Sequence, residues 1–139
     1  EYLEELEQTV KNLSLDTHVE FVDNLPQTKI IKLLNKAKLL IHTSQFETFG
    51  LVAIEAQTMG VPVLSINNGS LMEIIENNKN GYLSETLIDR GVTNFVNNLF
   101  NENKIFEKIS SSCIEFSKKY DWKKTSRIIQ NIYEELVTY

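Results

Sequence analysis

The chain has 139 residues, 42% of them hydrophobic and 24% charged, a composition that suits one folded domain and excludes a disordered segment. A net charge of −5, with lysines scattered between apolar helix positions, excludes a nucleic acid held through its phosphates. The single cysteine, Cys113, leaves no internal disulfide and no multi-cysteine metal site, and no apolar run approaches the roughly 18 residues of a membrane span. With no signal peptide at its start the chain is expected in the cytoplasm, and because it opens on Glu1 it is expected to be a piece of a longer protein.

In chain order, Leu3, Leu6, Val10 and Leu13 recur at helical steps of three and four. Residues 18–22 then read as a strand closed by the turn Asp23-Asn24-Leu25-Pro26. Ile30, Ile31, Leu34 and Ala37 mark a helix capped near Thr28. The continuous apolar run 39–42 suits a strand covered on both faces, as in parallel sheets. A helix follows over 50–59 and stops at Gly60. The next strand is 61–66, with Pro62 near its start. Asn67-Asn68-Gly69-Ser70 turns the chain into a short helix through Ile74 and Ile75, and Asn80-Gly81 leads to a brief strand at Tyr82-Leu83. The remainder reads as helical. Ile105, Ile109, Cys113 and Phe116 share one face, while Ile129, Ile132, Tyr133 and Leu136 share another. Alternating strands and helices predict an α/β fold with a Rossmann-like, doubly wound parallel sheet, and no linker divides residues 1–139. Cys113, among apolar helix positions, is expected to be a buried structural thiol.

In such sheets ligands bind beyond the carboxyl ends of the strands. The turn after 39–42 carries the most chemistry: Ser44-Gln45-Phe46-Glu47-Thr48-Phe49-Gly50-Leu51. Gly50 opens a helix whose first amides have no carbonyl partner within it, so they direct partial positive charge at a phosphate or diphosphate. A glycine there lets a ligand approach the backbone. Glu55, about five residues along and roughly 7–8 Å from the helix start, can accept two hydrogen bonds from a ribose diol. Strand–loop–glycine–helix turns are common, however, and a lone helical glutamate is usually solvated.

Glu47 and Glu55 enclose seven residues, with Phe49-Gly50-Leu51 among them, followed by Ala56 and Gly60-Val61-Pro62-Val63. This resembles the paired-glutamate motif of glycosyltransferase family 4 (glycosyltransferases group 1). The likeness extends on both sides. Val19-Glu20-Phe21 is similar to the family's strand before the base-binding turn, and 37–44 to its strand ending in serine. Gly69 to Glu73 is similar to the Gly-Gly-x-x-Glu turn, Asn80-Gly81-Tyr82-Leu83 to the last strand, and Tyr120-Asp121-Trp122 with Tyr133 to the closing signature. Six such pieces in order cover nearly the whole chain.

The resemblance implies the donor-binding, C-terminal lobe of a GT-B enzyme, incomplete at its N-terminus and closing with helices. It implies retaining, metal-independent transfer from a nucleotide-diphosphate sugar, such as a UDP- or GDP-sugar, to a hydroxyl of a glycan or lipid. It implies no other cofactor, and the chain has no Asp-x-Asp and no cluster of metal ligands. By the same resemblance Glu55 binds the ribose, Glu47 contacts the transferred sugar and is the catalytic candidate, and Thr48, Phe49, Gly50 and Leu51 hold the diphosphate. Ser44 borders them, and the main chain at Val22 and Asp23 borders the base. Asp23, Ser70 and Thr43 depart from the family's usual glycine, glycine and proline. The acceptor-binding lobe and the basic residues that neutralise the diphosphate are expected outside this chain, so this piece alone is expected to be inactive. That missing lobe is also the expected route of any peripheral membrane association. The sheet edge left open by absent strands is a candidate surface for self-association. Two alternatives share the architecture: a non-catalytic nucleotide-binding or regulatory module, and a sugar-nucleotide epimerase. Neither His18 nor His42 stands where the family's acceptor-side histidine would, and both are expected to be structural.

Overall fold

The computed structural model describes residues 2–67 and 69–137. The chain divides into two compact units, Glu1–Ile31 and Lys32–Tyr139. In the first, α1 (Tyr2–Asn12) carries Glu4 and Glu5 in its first turn and Lys11 in its last, which complements the helix dipole. It buries no residue. Residues 19–23 run on without strand pairing, contrary to the strand expected at 18–22. A strand needs a ladder partner, and the described residues of this unit form helix and irregular chain only. Helix α2 (Gln27–Leu34) runs across the boundary between the units. It begins one residue before Thr28, because the Pro26 carbonyl accepts from the Lys29 amide at 2.8 Å and the Ile30 amide at 3.2 Å. It also stops before Ala37.

The second unit is built on a parallel sheet of order β1-β2-β3: β1 (Leu40–His42), β2 (Val63–Ile66) and β3 (Gly81–Ser84). Central β2 has Val63 and Ser65 fully buried and Leu64 nearly so, which explains its unbroken apolar sequence. Helix α3 (Leu51–Thr58) links β1 to β2 and turns Ala53, Ile54, Ala56 and Gln57 inward. It ends in a Schellman motif: the Val61 amide donates to the Ala56 carbonyl and the Gly60 amide to the Gln57 carbonyl, both at 3.0 Å. Gly60 supplies the left-handed φ of 73° that this closure requires.

Helix α4 (Leu71–Ile74) leads into β3, and α5 (Arg90–Asn101) follows under an Asp89 cap that accepts the Val92 amide at 2.7 Å. Helix α6 (Asn103–Ser117) inserts Ile109 and Cys113 against Phe95 and Leu99. Burial pushes the Cys113 thiol up to about 12, so it stays protonated and donates to the Asn80 carbonyl at 3.2 Å. A single 3₁₀ turn (Lys118–Tyr120) precedes α7 (Trp122–Val137), which buries no residue and leaves Ile129, Ile132, Tyr133 and Leu136 exposed. No helix among the described residues is long and apolar enough to cross a membrane.

Asn80 is the polar hub of this unit. Its amide donates to the Ile74 carbonyl at 2.9 Å and to Gln57 Oε1 at 3.3 Å, while its Oδ1 accepts the Glu76 amide at 2.7 Å. Asn80 is 1% exposed and its Gln57 and Ile74 partners are buried with it, so Asn80→Ala leaves buried polar groups without their partner. We expect a loss of about 2–4 kcal/mol in urea unfolding.

Candidate functional site

Two loops leave the carboxyl end of the sheet and meet. One runs from His42, the last residue of β1, to the start of α3; the other follows β2 and contains Gly69 and Ser70. Asn68 of that second loop lies outside the described residues. A Cβ built on Gly69 would strike the Glu47 carbonyl, and the Ser70 amide donates to that same carbonyl at 3.5 Å. Any side chain at 69 would separate the two loops.

Gly50 sets the approach to α3. Its φ of 80° is left-handed, and an added Cβ would lie 2.8 Å from Ile74 Cδ1 and 2.9 Å from Leu71 Cδ2. The close packing keeps α3 and α4 together. The Ser70 hydroxyl is buried nearby and finds no hydrogen-bond partner among the described residues.

The Glu47 carboxylate turns back onto the chain entering α3. Its Oε1 accepts from the Phe49 amide at 3.1 Å and from the Gly50 amide at 2.9 Å. Its Oε2 lies 3.2 Å from His42 Nε2. The Gly50 and Phe49 amides, with smaller help from His42 and the Thr48 amide, hold the carboxyl below its usual value of 4.5 against the opposing cost of burial. The amides of Phe49 and Gly50, and more weakly that of Thr48, all expected for a diphosphate, therefore serve Glu47. Those of Leu51 and Val52 come next, ahead of the first helical bond, which Ala53 donates to the Gly50 carbonyl.

A lowered pKa in the folded state stabilises the fold at pH above the usual 4.5, and that contribution is lost as pH falls through the folded-state value. The melting-temperature gap between the wild type and Glu47→Gln is therefore expected to narrow as pH drops below 4.5. A gap that stays constant from neutral to acid pH would contradict the arrangement.

Glu55 is exposed on the outer face of α3, with Phe49 and Leu51 near it, each more than half exposed. These three join Ile54, Thr58, Tyr120, Trp122 and Thr125 around a cavity of about 240 Å³. Thr48 is exposed, and the Ser44 hydroxyl donates to the Phe46 carbonyl at 2.9 Å. The structure thus joins Glu47 to Phe49 and Gly50 through hydrogen bonds, and Phe49 and Leu51 to Glu55 around the cavity, with Ser44 and Thr48 in the same loop. Val22 and Asp23 belong to the first unit, where both are exposed and Asp23 accepts from the Asn24 side chain at 3.0 Å.

Two features escaped the sequence reading. His42, expected to be structural, touches Glu47. Tyr120 and Trp122, noted only as a closing signature, wall the cavity beside Glu55. Their position after the last apolar face of α6 was the one available signal.

The family model described as glycosyl transferases group 1 matches residues 1–120. An uncharacterized glycosyltransferase of Methanocaldococcus jannaschii is 28% identical over 120 residues, covering 86% of this chain and 34% of that protein. HepE of Anabaena, solved in complex with UDP-glucose, aligns with a TM-score of 0.80 at 28% identity, over 99% of this chain and 37% of its own. The C-terminal domain of a glycosyl transferase group 1 family protein, LpcC, from Francisella tularensis aligns with a TM-score of 0.76 at 28% identity, over 87% of this chain and 63% of that one. The chain spans about a third of the length of the first two.

Proposed function

Because this chain belongs to the glycosyl transferases group 1 family, we propose that it holds the nucleotide-sugar donor for retaining, metal-independent glycosyl transfer to a glycan or lipid hydroxyl. Its fold is that of the C-terminal lobe of GT-B glycosyltransferases. The observation that carries the reading is the entrance to α3, where an ionised glutamate, a glycine-lined backbone and a second exposed glutamate lie in sequence along one helix end. Glu55 takes the ribose diol, the leading amides and helix dipole of α3 face the diphosphate, and Glu47 meets the sugar. The Glu47 carboxylate is held by main-chain amides and His42, and 22% of its side chain stays exposed, where a sugar hydroxyl can reach it.

HepE, with 28% identity, was solved with UDP-glucose, which supports a UDP-sugar as the first donor to try. The acceptor is assigned to the other lobe, and the cations opposing the leaving diphosphate to strands of this same lobe outside the chain, a reading supported by the one-third coverage of HepE and the Methanocaldococcus protein. Calorimetric titration of the intact protein with UDP, GDP and ADP tests the reading. Saturable binding of one nucleotide is the expected result. A folded protein that binds none of the three would sink it.

A further inference from the structure

His42 and Ser65 are direct partners across the β1–β2 ladder, although 23 residues separate them in sequence. Ser65 is fully buried, and its hydroxyl donates to the His42 carbonyl at 3.0 Å. With its one proton committed there, the Ser65 oxygen faces His42 Nδ1 at 3.4 Å as an acceptor. The opposite ring nitrogen, Nε2, lies 3.2 Å from Glu47 Oε2. The imidazole therefore bridges two acceptors: with a proton on each ring nitrogen it donates to the buried Ser65 oxygen at one end and to Glu47 Oε2, the carboxylate assigned to the donor sugar, at the other. Only 10% of the His42 side chain and 22% of the Glu47 side chain are exposed, so water competes weakly for the contact.

The amides of Phe49 and Gly50 both donate to Oε1, and the Thr48 amide contributes more weakly. Those two bonds leave the carboxylate able to pivot about Oε1. The His42 contact to Oε2 opposes that rotation and sets the plane of the carboxylate.

We propose that His42 is a positioning residue for the donor's sugar: clamped by Ser65, it orients the Glu47 carboxylate toward the transferred hexose without touching the donor. The inference rests on the donor-site reading above. It separates the sugar from the nucleotide, because Glu47 meets only the former, and that separation gives the test.

Titrations of UDP and of UDP-glucose are compared in the intact protein, its His42→Leu and His42→Gln variants, and Ser65→Ala. His42→Leu is expected to weaken UDP-glucose roughly tenfold or more while UDP changes by less than about threefold, the size expected for one hydrogen bond to a charged group. His42→Gln, whose side-chain amide reaches about as far as Nε2, is expected to restore UDP-glucose affinity to within about threefold of wild type. Ser65→Ala, which frees the ring but leaves it present, is expected to fall between them. An equal loss for both ligands in His42→Leu marks a structural role and overturns the proposal, as does no loss for either or a failure of glutamine to rescue. If His42→Leu does not fold, the same comparison between His42→Gln and Ser65→Ala decides: a UDP-glucose loss in the second alone supports the clamp, and its absence overturns it. A wild type that binds neither ligand defeats the donor-site reading itself, and the positioning role with it.

Discussion

Replacing Glu55 with alanine is expected to weaken binding of the preferred nucleotide by roughly thirtyfold or more and to leave the melting temperature nearly unchanged. Both halves follow from where the residue sits. Its side chain is exposed, and the hydrogen bond at its position, from the Thr58 hydroxyl at 2.6 Å, goes to the Glu55 main-chain carbonyl, which alanine keeps. Alanine is also the stronger helix former, so α3 loses nothing by the change. A ribose diol bound there donates two hydrogen bonds to an ionised acceptor. Losing roughly 2–3 kcal/mol of that interaction corresponds to the stated factor. Glu55→Gln retains one carbonyl acceptor and is expected to lie between, at about fivefold. Calorimetry of the three proteins with the same nucleotide reads the series. Equal affinities across it would move the ribose elsewhere, to the Thr58 and Thr125 end of the cavity walled by Tyr120 and Trp122.

Glu55 could be singled out from sequence because its relation to Gly50 is local: helical rise alone fixes the distance between them. The same holds for the turns at Gly50 and Gly60, whose positive φ values are carried by the residue type, and for the α6 face of Ile109, Cys113 and Phe116. Strand β2 was legible because a run buried on both faces leaves a continuous apolar signature.

What sequence concealed is pairing over distance. Residues 19–23 have the composition of a strand, but composition does not say whether a partner exists, and in their own unit none does. His42 and Ser65 become neighbours only through the β1–β2 register, so the environment of the histidine could not be read from residues beside it. The amphipathic stripe of α7 is a related case. Its period was plain, yet a stripe announces a covering surface without locating one, and Ile129, Ile132, Tyr133 and Leu136 remain exposed. The matched family model stops at residue 120, just before this helix. At Glu47 the hidden element was short-range but conformational: a carboxylate folding back onto amides two and three residues ahead depends on the turn that Gly50 permits.

On the proposed donor-site reading Glu47 has two separable duties, and replacing it by glutamine and by alanine should divide them. Glutamine keeps the shape. Its amide oxygen can accept from Phe49 and Gly50 as Oε1 does, and its NH₂ can donate to His42 Nε2 in the tautomer that leaves that nitrogen unprotonated. What it removes is the negative charge, which the low pKa otherwise maintains throughout the neutral range. As the diphosphate departs, positive charge grows at the anomeric centre, and a fixed carboxylate beside the sugar stabilises that state more than the ground state. Transfer by Glu47→Gln is therefore expected to fall by roughly a hundred- to a thousandfold, with nucleotide affinity within about threefold of wild type. Glu47→Ala removes the cap as well, releasing the two amides and the His42 contact, so nucleotide affinity should fall together with turnover. Steady-state transfer assays of the intact protein, paired with nucleotide titration, read both effects. A glutamine variant that transfers within threefold of wild type would reduce Glu47 to a cap for α3, and the charge that stabilises the anomeric centre in the proposed transfer would have to come from outside this loop.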